Sequence, residues 1–167
     1  MMFDKPYTIK GKHATYARFL SATTGRLDKE AKVAGIFKTT VEMYVVAPLI
    51  GAAYNRKADE DKDSSDSYTI FGDAIIGQQE NLDAAYRLIM LADNSAKLTS
   101  DEKIARAFKE DEIPDKVNQN LELFHQYMRG GIEWLYEQTI EGATTKEDYL
   151  AKVDAIVSQF IQDFPRI

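Results

Sequence analysis

Residues 114–141, PDKVNQNLELFHQYMRGGIEWLYEQTIE, repeat apolar side chains every three or four positions and predict one long amphipathic helix. The predicted apolar face consists of Val117, Leu121, Phe124, Met128, Ile132, Leu135 and Thr139. Pro114 suits the first helical position, because the amide hydrogen that it lacks would have no partner in the first turn. Gly142 suits the position after the helix, because glycine readily adopts the left-handed conformation that ends many helices. A helix of this length needs other elements to cover its apolar face.

Gly130 and Gly131 interrupt this pattern near its middle. Each glycine costs about 1 kcal/mol relative to alanine inside a helix. The pair therefore predicts either a bend or a place where another backbone packs closely. With the aromatic residues of the last two predicted helices it also forms a candidate oligomer interface, which consists of Gly130, Gly131, Trp134, Tyr136, Phe160 and Phe164.

Helical periodicity extends to three earlier parts of the chain. Apolar residues at helical spacing predict helices over 13–22, 28–47 and 81–92. Pro48 and Gly51 follow the second of these. Because proline lacks an amide hydrogen and clashes with the preceding turn, we expect that helix to kink or stop there.

Two capping boxes open the remaining predicted helices. In each, a threonine is followed three residues later by an acid, as in Thr99 with Glu102 and Thr145 with Asp148. The helix after Thr145 carries two adjacent apolar stripes, one of Tyr149, Val153, Ile156 and Phe160 and the other of Leu150, Val157, Ile161 and Phe164. Such a wide apolar face predicts burial on two sides.

Polar sequence separates the two halves of the chain. Residues 58–67, ADEDKDSSDS, contain no apolar residue larger than alanine and predict a solvated, flexible acidic loop. Residues 68–71 predict at most a short strand. We therefore expect an all-α fold, in which residues 1–167 form a single compact helical domain of about five to seven helices with an acidic loop insertion.

The overall composition is typical of a globular domain. Of 167 residues, 44% are apolar and 29% are charged, and no apolar run reaches the roughly 18 residues of a membrane span. The first residues lack the apolar stretch of a secretory signal, and the chain has no cysteine, so we expect it in the cytoplasm, away from membranes.

Charge is divided unevenly along the chain. Residues 1–57 contain ten Lys and Arg against four Asp and Glu, a net charge of plus six, and the rest contains eleven against 23, a net charge of minus twelve. This split predicts two oppositely charged surfaces and points to binding. The candidate contacts for DNA or for an acidic partner are Lys29, Lys32, Lys38, Arg56 and Lys57, which can track phosphates without reading bases.

Motifs for catalysis are weak. Glu122 and His125 are one helical turn apart and could ligate one metal ion, but no second Glu-x-x-His unit exists to complete a di-iron bundle. The acidic run that begins at Asp59 lacks the glycine and the closing glutamate of a calcium loop. Nucleophile and phosphate-loop motifs are also missing. The sequence therefore predicts no cofactor and no catalytic residue.

Two segments of the chain resemble a known group of proteins. They are GIFKTTVEMYVVAPLIG (35–51) and LELFHQYMRGGIEWL (121–135), about a fifth of the chain. The matching features are Phe37 to Thr39, Tyr44, Ala47, Gly51, Arg56, and Tyr127 to Ile132. The segments are similar to small helical proteins encoded beside bacterial DNA phosphorothioation systems, the Dnd system-associated group. The resemblance implies an accessory role in anti-phage defence and no known active site.

Taken with the charge pattern, this resemblance yields three functional hypotheses. The first is a non-catalytic accessory or assembly subunit of a bacterial anti-phage defence or DNA-modification system, which associates with itself as a homo-oligomer or with larger defence proteins. The alternative is a helical module that binds the DNA backbone through its basic N-terminal segment. The second alternative is a metal-dependent enzyme that uses Glu122 and His125.

Overall fold

The structure, a computed structural model, describes residues 2–21, 25–26, 32–33 and 35–166, with the backbone alone at 25–26 and 32–33. The elements in this part are β1 (Tyr7–Lys10), α1 (Lys12–Ser21), β2 (Gly25–Arg26), β3 (Lys32–Val33), α2 (Thr40–Ala53), β4 (Ser67–Ile70), α3 (Gly72–Gly77), α4 (Gln79–Ala92), α5 (Ser100–Phe108), α6 (Pro114–Thr139) and α7 (Lys146–Asp163). The chain is mostly helical, which confirms the predicted all-α class.

Helix α6 is the centre of the fold. It begins at Pro114, as predicted, and its residues Phe124, Met128, Ile132 and Leu135 are almost completely buried. Helices α1, α2, α4 and α7 all pack against it. Covering the apolar face on several sides is what stabilises so long a helix, since most helical stability in proteins comes from packing.

The glycines of α6 mark a close approach of two backbones. Helix α6 is continuous through Gly130 and Gly131. A Cβ atom on Gly131 would overlap the Ala47 carbonyl oxygen of α2, and one on Gly130 would overlap the Arg56 carbonyl oxygen. In the same contact, a Cβ atom on Gly51 would overlap the Tyr127 carbonyl oxygen. Of the two predicted alternatives, close packing is therefore confirmed.

Helix α2 begins later than the sequence predicts. The prediction of a helix over 28–47 is wrong at Lys32–Val33, which pairs with Gly25–Arg26 in an antiparallel ribbon, and at residues 35–39. Residues 28–31 and 34 of that prediction lie outside the described residues. The true start is set by a capping box, in which Thr39 Oγ1 accepts from the Glu42 amide at 3.3 Å.

Pro48 does not end α2, so of the two predicted outcomes, a kink or a stop, the stop is wrong. The helix continues to Ala53. An internal proline costs about 3 kcal/mol because its ring clashes with the preceding turn. Eight of the 14 residues of α2, including Pro48 and Gly51, are buried in the core, and this packing offsets the local cost.

The other predicted elements agree with the structure. Helices α1 and α4 lie within a few residues of their predicted bounds, and both predicted capping boxes are formed. Gly142 follows α6 with a φ of 75°. Strand β4 matches the predicted short strand and pairs antiparallel with β1. Among the helices of the described part, none is long and apolar enough to cross a membrane.

Residues 58–66, here called the acidic strap, form neither helix nor strand. The strap runs from α6 to the turn between β1 and α1. Arg129 Nε donates to the Ala58 carbonyl oxygen at 2.8 Å at one end, and the Gly11 amide donates to the Asp66 carbonyl oxygen at 2.8 Å at the other. The strap thus joins the N-terminal elements to the central helix.

Candidate functional site

The inner stripe of α7 holds this helix on the rest of the chain. Tyr149 and Ile156 are buried, and Val153 and Phe160 are half-buried. The centroids of the Phe160 and Trp134 rings lie 5.6 Å apart. The capping box at Thr145 fixes the start of α7.

An aromatic contact fixes the other end of α7. The rings of Tyr54 and Trp134 stack with centroids 4.5 Å apart, and the Tyr54 hydroxyl donates to Asp163 Oδ2 at 2.8 Å. Tyr54 directly follows α2, so α7 is tied to both α2 and α6. Its orientation is therefore set by contacts at its start, its inner stripe and its end.

The outer stripe of α7 is exposed. Leu150, Val157, Ile161 and Phe164 have exposed fractions of 52%, 50%, 69% and 54%. The predicted burial on two sides is therefore wrong within one chain, since only the inner stripe is covered. We call Leu150, Val157, Ile161 and Phe164 the outer face. Several large apolar side chains aligned on one exposed face mark an interaction surface more often than single exposed ones do.

A shallow apolar depression lies at the C-terminal end of the outer face. Its lining residues are Phe160, Ile161, Phe164, Pro165 and Arg166. Leu150 lies at the opposite end of the helix, about 17 Å from Ile161 at 1.5 Å per residue. The surface thus has an exposed side chain at one end and a concave site at the other.

Other exposed apolar side chains are spread over several elements. Phe71 precedes α3, Leu88 lies on α4, and Ile104 and Phe108 lie on α5. The Arg87 guanidinium lies above the Phe108 ring, 5.6 Å from its centroid, and also pairs with Asp111 at 2.5 Å. Apart from Ile104 and Phe108, which are one turn apart on α5, these residues lie on different elements, and single exposed apolar residues are common on protein surfaces. The outer face of α7 is therefore the better candidate site.

The candidate contacts for DNA that the structure describes do not form one patch. Lys38 is exposed just before α2, and Lys57 is exposed a few residues after it. The 14 residues of α2 separate them by about 21 Å at 1.5 Å per residue. Both guanidinium NH₂ groups of Arg56 bond to the Glu137 carboxylate, at 2.9 and 3.0 Å. Lys29 and the side chain of Lys32 lie outside the described residues.

Basic residues of the N-terminal elements pair with acidic residues of the strap in the same chain. The predicted division into two oppositely charged surfaces is therefore wrong at these elements. Arg18 pairs with Asp66 of the acidic strap at 2.9 Å, and Lys10 pairs with Glu60 at 3.4 Å. Asp61 Oδ2 accepts from the Lys12 amide at 2.7 Å. Sequence reasoning missed these pairs because the residues are about 50 positions apart and nothing local identifies the partners.

Glu133 of α6 completes this network. Its Oε1 atom lies 2.9 Å from Lys12 Nζ and 2.9 Å from His13 Nε2. Burial opposes the ionisation of Glu133, but the hydrogen bonds from Lys12 and His13 outweigh it and hold the pKa of Glu133 below its usual range. Burial also lowers the pKa of His13, which favours the neutral imidazole. The network ties α1 to α6.

Glu122 and His125 do not converge on a common point. Glu122 pairs with Arg129 at 2.5 Å, whereas His125 Nε2 lies 2.9 Å from the Tyr44 hydroxyl and the imidazole stacks on Tyr7, with centroids 4.0 Å apart. Burial lowers the pKa of His125 to about 3, so this ring is neutral near pH 7. Among the described residues, no three His, Asp and Glu side chains gather around one point.

Asp93 is a buried carboxylate that sequence reasoning did not single out. Its oxygens accept hydrogen bonds from the Tyr127 hydroxyl at 2.6 Å, from Arg106 at 3.1 Å and from Ser95 Oγ at 2.8 Å. Burial raises its pKa, but these donors together lower it below the usual range. With its oxygens bonded to three side chains on different elements, Asp93 joins α4 and α5 to α6.

The residues of the predicted oligomer interface lie in three different environments. Gly130 and Gly131 are buried against α2 and the residues after it, and Trp134 is 9% exposed. Tyr136 stacks on Tyr16 of α1, with centroids 3.8 Å apart. Phe164 lies on the outer face, and Phe160 lies half-buried beside it. The first four make contacts within the chain, and so does Phe160, whose ring packs against Trp134. The Phe164 ring lies 6.3 Å from the Tyr54 ring, between centroids, and remains half exposed.

No family model matches the sequence, and no curated protein or solved structure is significantly similar to it.

Proposed function

We propose that this protein is a non-catalytic assembly subunit that binds another protein molecule through the outer face of α7. The observation that carries this proposal is a group of four large apolar side chains, each at least half exposed, of which three lie on α7 and Phe164 directly follows it, whereas the opposite stripe of α7 is mostly covered. Full burial of one such side chain contributes about 1.5–3 kcal/mol, so covering the remaining half of four of them offers about 3–6 kcal/mol. That is a useful contribution to association.

The ionisable side chains in the interior bond to other side chains of the chain, and these bonds support a structural role for them. His13 and Glu133 bond each other, His125 bonds Tyr44, and Asp93 bonds three side chains. In each set the partners come from different helices or from a helix and the loop beside it, so the bonds hold elements together. The arrangement that the metal-enzyme hypothesis needs, with Glu122 and His125 aimed at one ion, is not formed by their present partners.

The proposed accessory role in anti-phage defence rests on the sequence resemblance. The two segments of the resemblance fall largely on α2 and α6, which pack together through Gly51 and Gly131. The resemblance therefore concerns the central contact of the fold and not the outer face of α7.

Site-specific cross-linking in cells of the native host tests the proposal. A photo-reactive amino acid at Ile161, the most exposed residue of the outer face, should give a discrete cross-linked product. The matched control is the same group at Gln159, which is exposed on the same helix but points about 160° away at 100° per residue. Equal labelling at the two positions, or no product from Ile161, would contradict the proposed function.

A further inference from the structure

We infer that the partner on the outer face is a second copy of this chain, bound with the two α7 helices antiparallel and related by a two-fold axis at Val157. This inference rests on the proposed function, because it names the partner of the same surface. A two-fold contact requires one patch that is complementary to itself. The outer face meets this requirement in its spacing, its shape and its charge.

The spacing of the outer face is symmetric about Val157. Leu150 precedes Val157 by seven residues, and Phe164 follows it by seven. Residues seven apart differ by only about 20° around a helix, so Leu150 and Val157 lie in one row. Phe164 caps the end of α7 beyond this row, with its ring centroid 6.3 Å from that of Tyr54. When two such rows run antiparallel about Val157, Leu150 of each copy faces Phe164 of the other, and the two Val157 side chains meet. Every pairing in the row is then apolar.

The shape of the outer face favours the antiparallel arrangement over the parallel one. Leu150 stands out at the start of α7, and the depression between Phe160, Ile161, Phe164 and Pro165 lies at its end. In an antiparallel pair each Leu150 side chain enters the depression of the other copy. A parallel pair would bring Leu150 against Leu150 and would place the two depressions opposite each other, which leaves both unfilled.

Charge distribution points to a copy of this chain in preference to a basic partner. Although the chain carries a net charge of minus six, residues 146–166 contain three basic and four acidic residues, so this region is nearly neutral. Between Leu150 and Phe164, Asp154 is the charge closest to the row.

A single helix pair forms a small interface, so we expect an equilibrium that depends on concentration. Interfaces at the lower end of the size range, below about 1,200 Å² in total, are typical of weak and transient association. We expect dissociation at about 100 µM, because the two outer faces together offer about 6–12 kcal/mol and association costs at least about 4 kcal/mol.

Single-cysteine variants test the axis, because the natural sequence contains no cysteine. The purified V157C variant should form a disulfide-linked dimer under mild oxidation, since the two-fold axis brings this residue against its own copy. Q159C is the matched control and should cross-link at least tenfold more slowly. Circular dichroism and thermal melting of both variants establish that the fold is intact.

A mixture of two variants tests the direction of the helices. Differently tagged L150C and F164C chains should cross-link to each other, whereas L150C alone should not form a disulfide dimer. Cross-linking of L150C to itself would overturn the antiparallel arrangement. Equal rates of disulfide formation for V157C and Q159C would show that the partner is not a second copy. A cross-linked product at Ile161 in native cells would then still support the proposed function, with a different protein as the partner.

Discussion

Helices α6 and α7 have similar amphipathic sequences, but they meet different surroundings. The apolar face of α6 is covered by α1, α2, α4 and α7, and its glycines touch the backbone of α2 and of Arg56. Helix α7 packs on the chain through its inner stripe, and its outer face remains exposed. The comparison teaches that an apolar stripe predicts burial but does not say whether the covering surface belongs to the same chain. Changes to the two helices should therefore affect different properties.

The largest expected effect comes from filling the closest contact of α6. Gly131→Leu should destabilise the fold by about 3 kcal/mol, the upper end for overpacking, because its side chain would overlap the Ala47 carbonyl group. The melting temperature should fall by about 6–12 °C. Gly77→Leu is the control, since nothing lies within 4 Å of a Cβ atom at that position. Equal melting temperatures for the two variants would show that the close contact is not required.

The two stripes of α7 should respond differently to the same truncation. Ile156→Ala should destabilise the fold by about 2 kcal/mol, because Ile156 is 6% exposed and its removal leaves a cavity. Ile161→Ala, at 69% exposure, should change stability by less than about 0.5 kcal/mol. Chemical denaturation at low protein concentration, where dimers dissociate, measures both. A larger loss from Ile161→Ala would mean that the outer face is covered within the chain.

The stability of the fold should fall in acid because the Glu133 carboxylate becomes protonated. The pKa of this carboxyl is lowered on folding, so its contribution is present above its usual pKa of about 4.5 and is lost as pH falls through the lower folded value. Burial lowers the pKa of His13 as well, which adds a loss below about pH 6.5. The fall in melting temperature between pH 5 and pH 3 should be smaller in Glu133→Gln than in the wild type. A pH profile that is unchanged in the variant would show that Glu133 does not link α1 to α6.

The smallest expected effect concerns DNA. Because Lys38 and Lys57 are far apart and Arg56 is paired, we expect little binding of duplex DNA at about 100 mM salt. Replacing Lys38 and Lys57 with alanine should leave any residual binding almost unchanged. If the wild type binds DNA and this double variant makes the logarithmic salt slope shallower by roughly two units, the DNA-backbone hypothesis is the better one.

Local signals in the sequence predict most of the elements, because caps, proline and periodicity act within a few residues. Pro114, Thr99 and Thr145 each mark a helix start that the structure has. Errors arise where distant contacts override local preference. Pro48 lies inside α2 because the core packs around that helix, and residues 35–39 precede the helix that their spacing predicts.

The candidate site was only partly predictable for a similar reason. Both stripes of α7 are visible in the sequence, but which of them the chain itself covers depends on Tyr54 and Trp134, which lie far away along the chain. The ion pairs of the acidic strap with Lys10 and Arg18 also join residues about 50 positions apart. Unlike the start of a helix, such pairs have no local signature.

Sedimentation of the wild type and of Ile161→Glu tests the central claim most directly. The average mass of the wild type should rise towards that of a dimer as concentration increases to about 100 µM, because the outer face then meets a second copy. The variant should stay monomeric and keep the melting temperature of the monomeric wild type, because Ile161 makes little contact within the chain. Identical masses for the two proteins at every concentration would contradict the account.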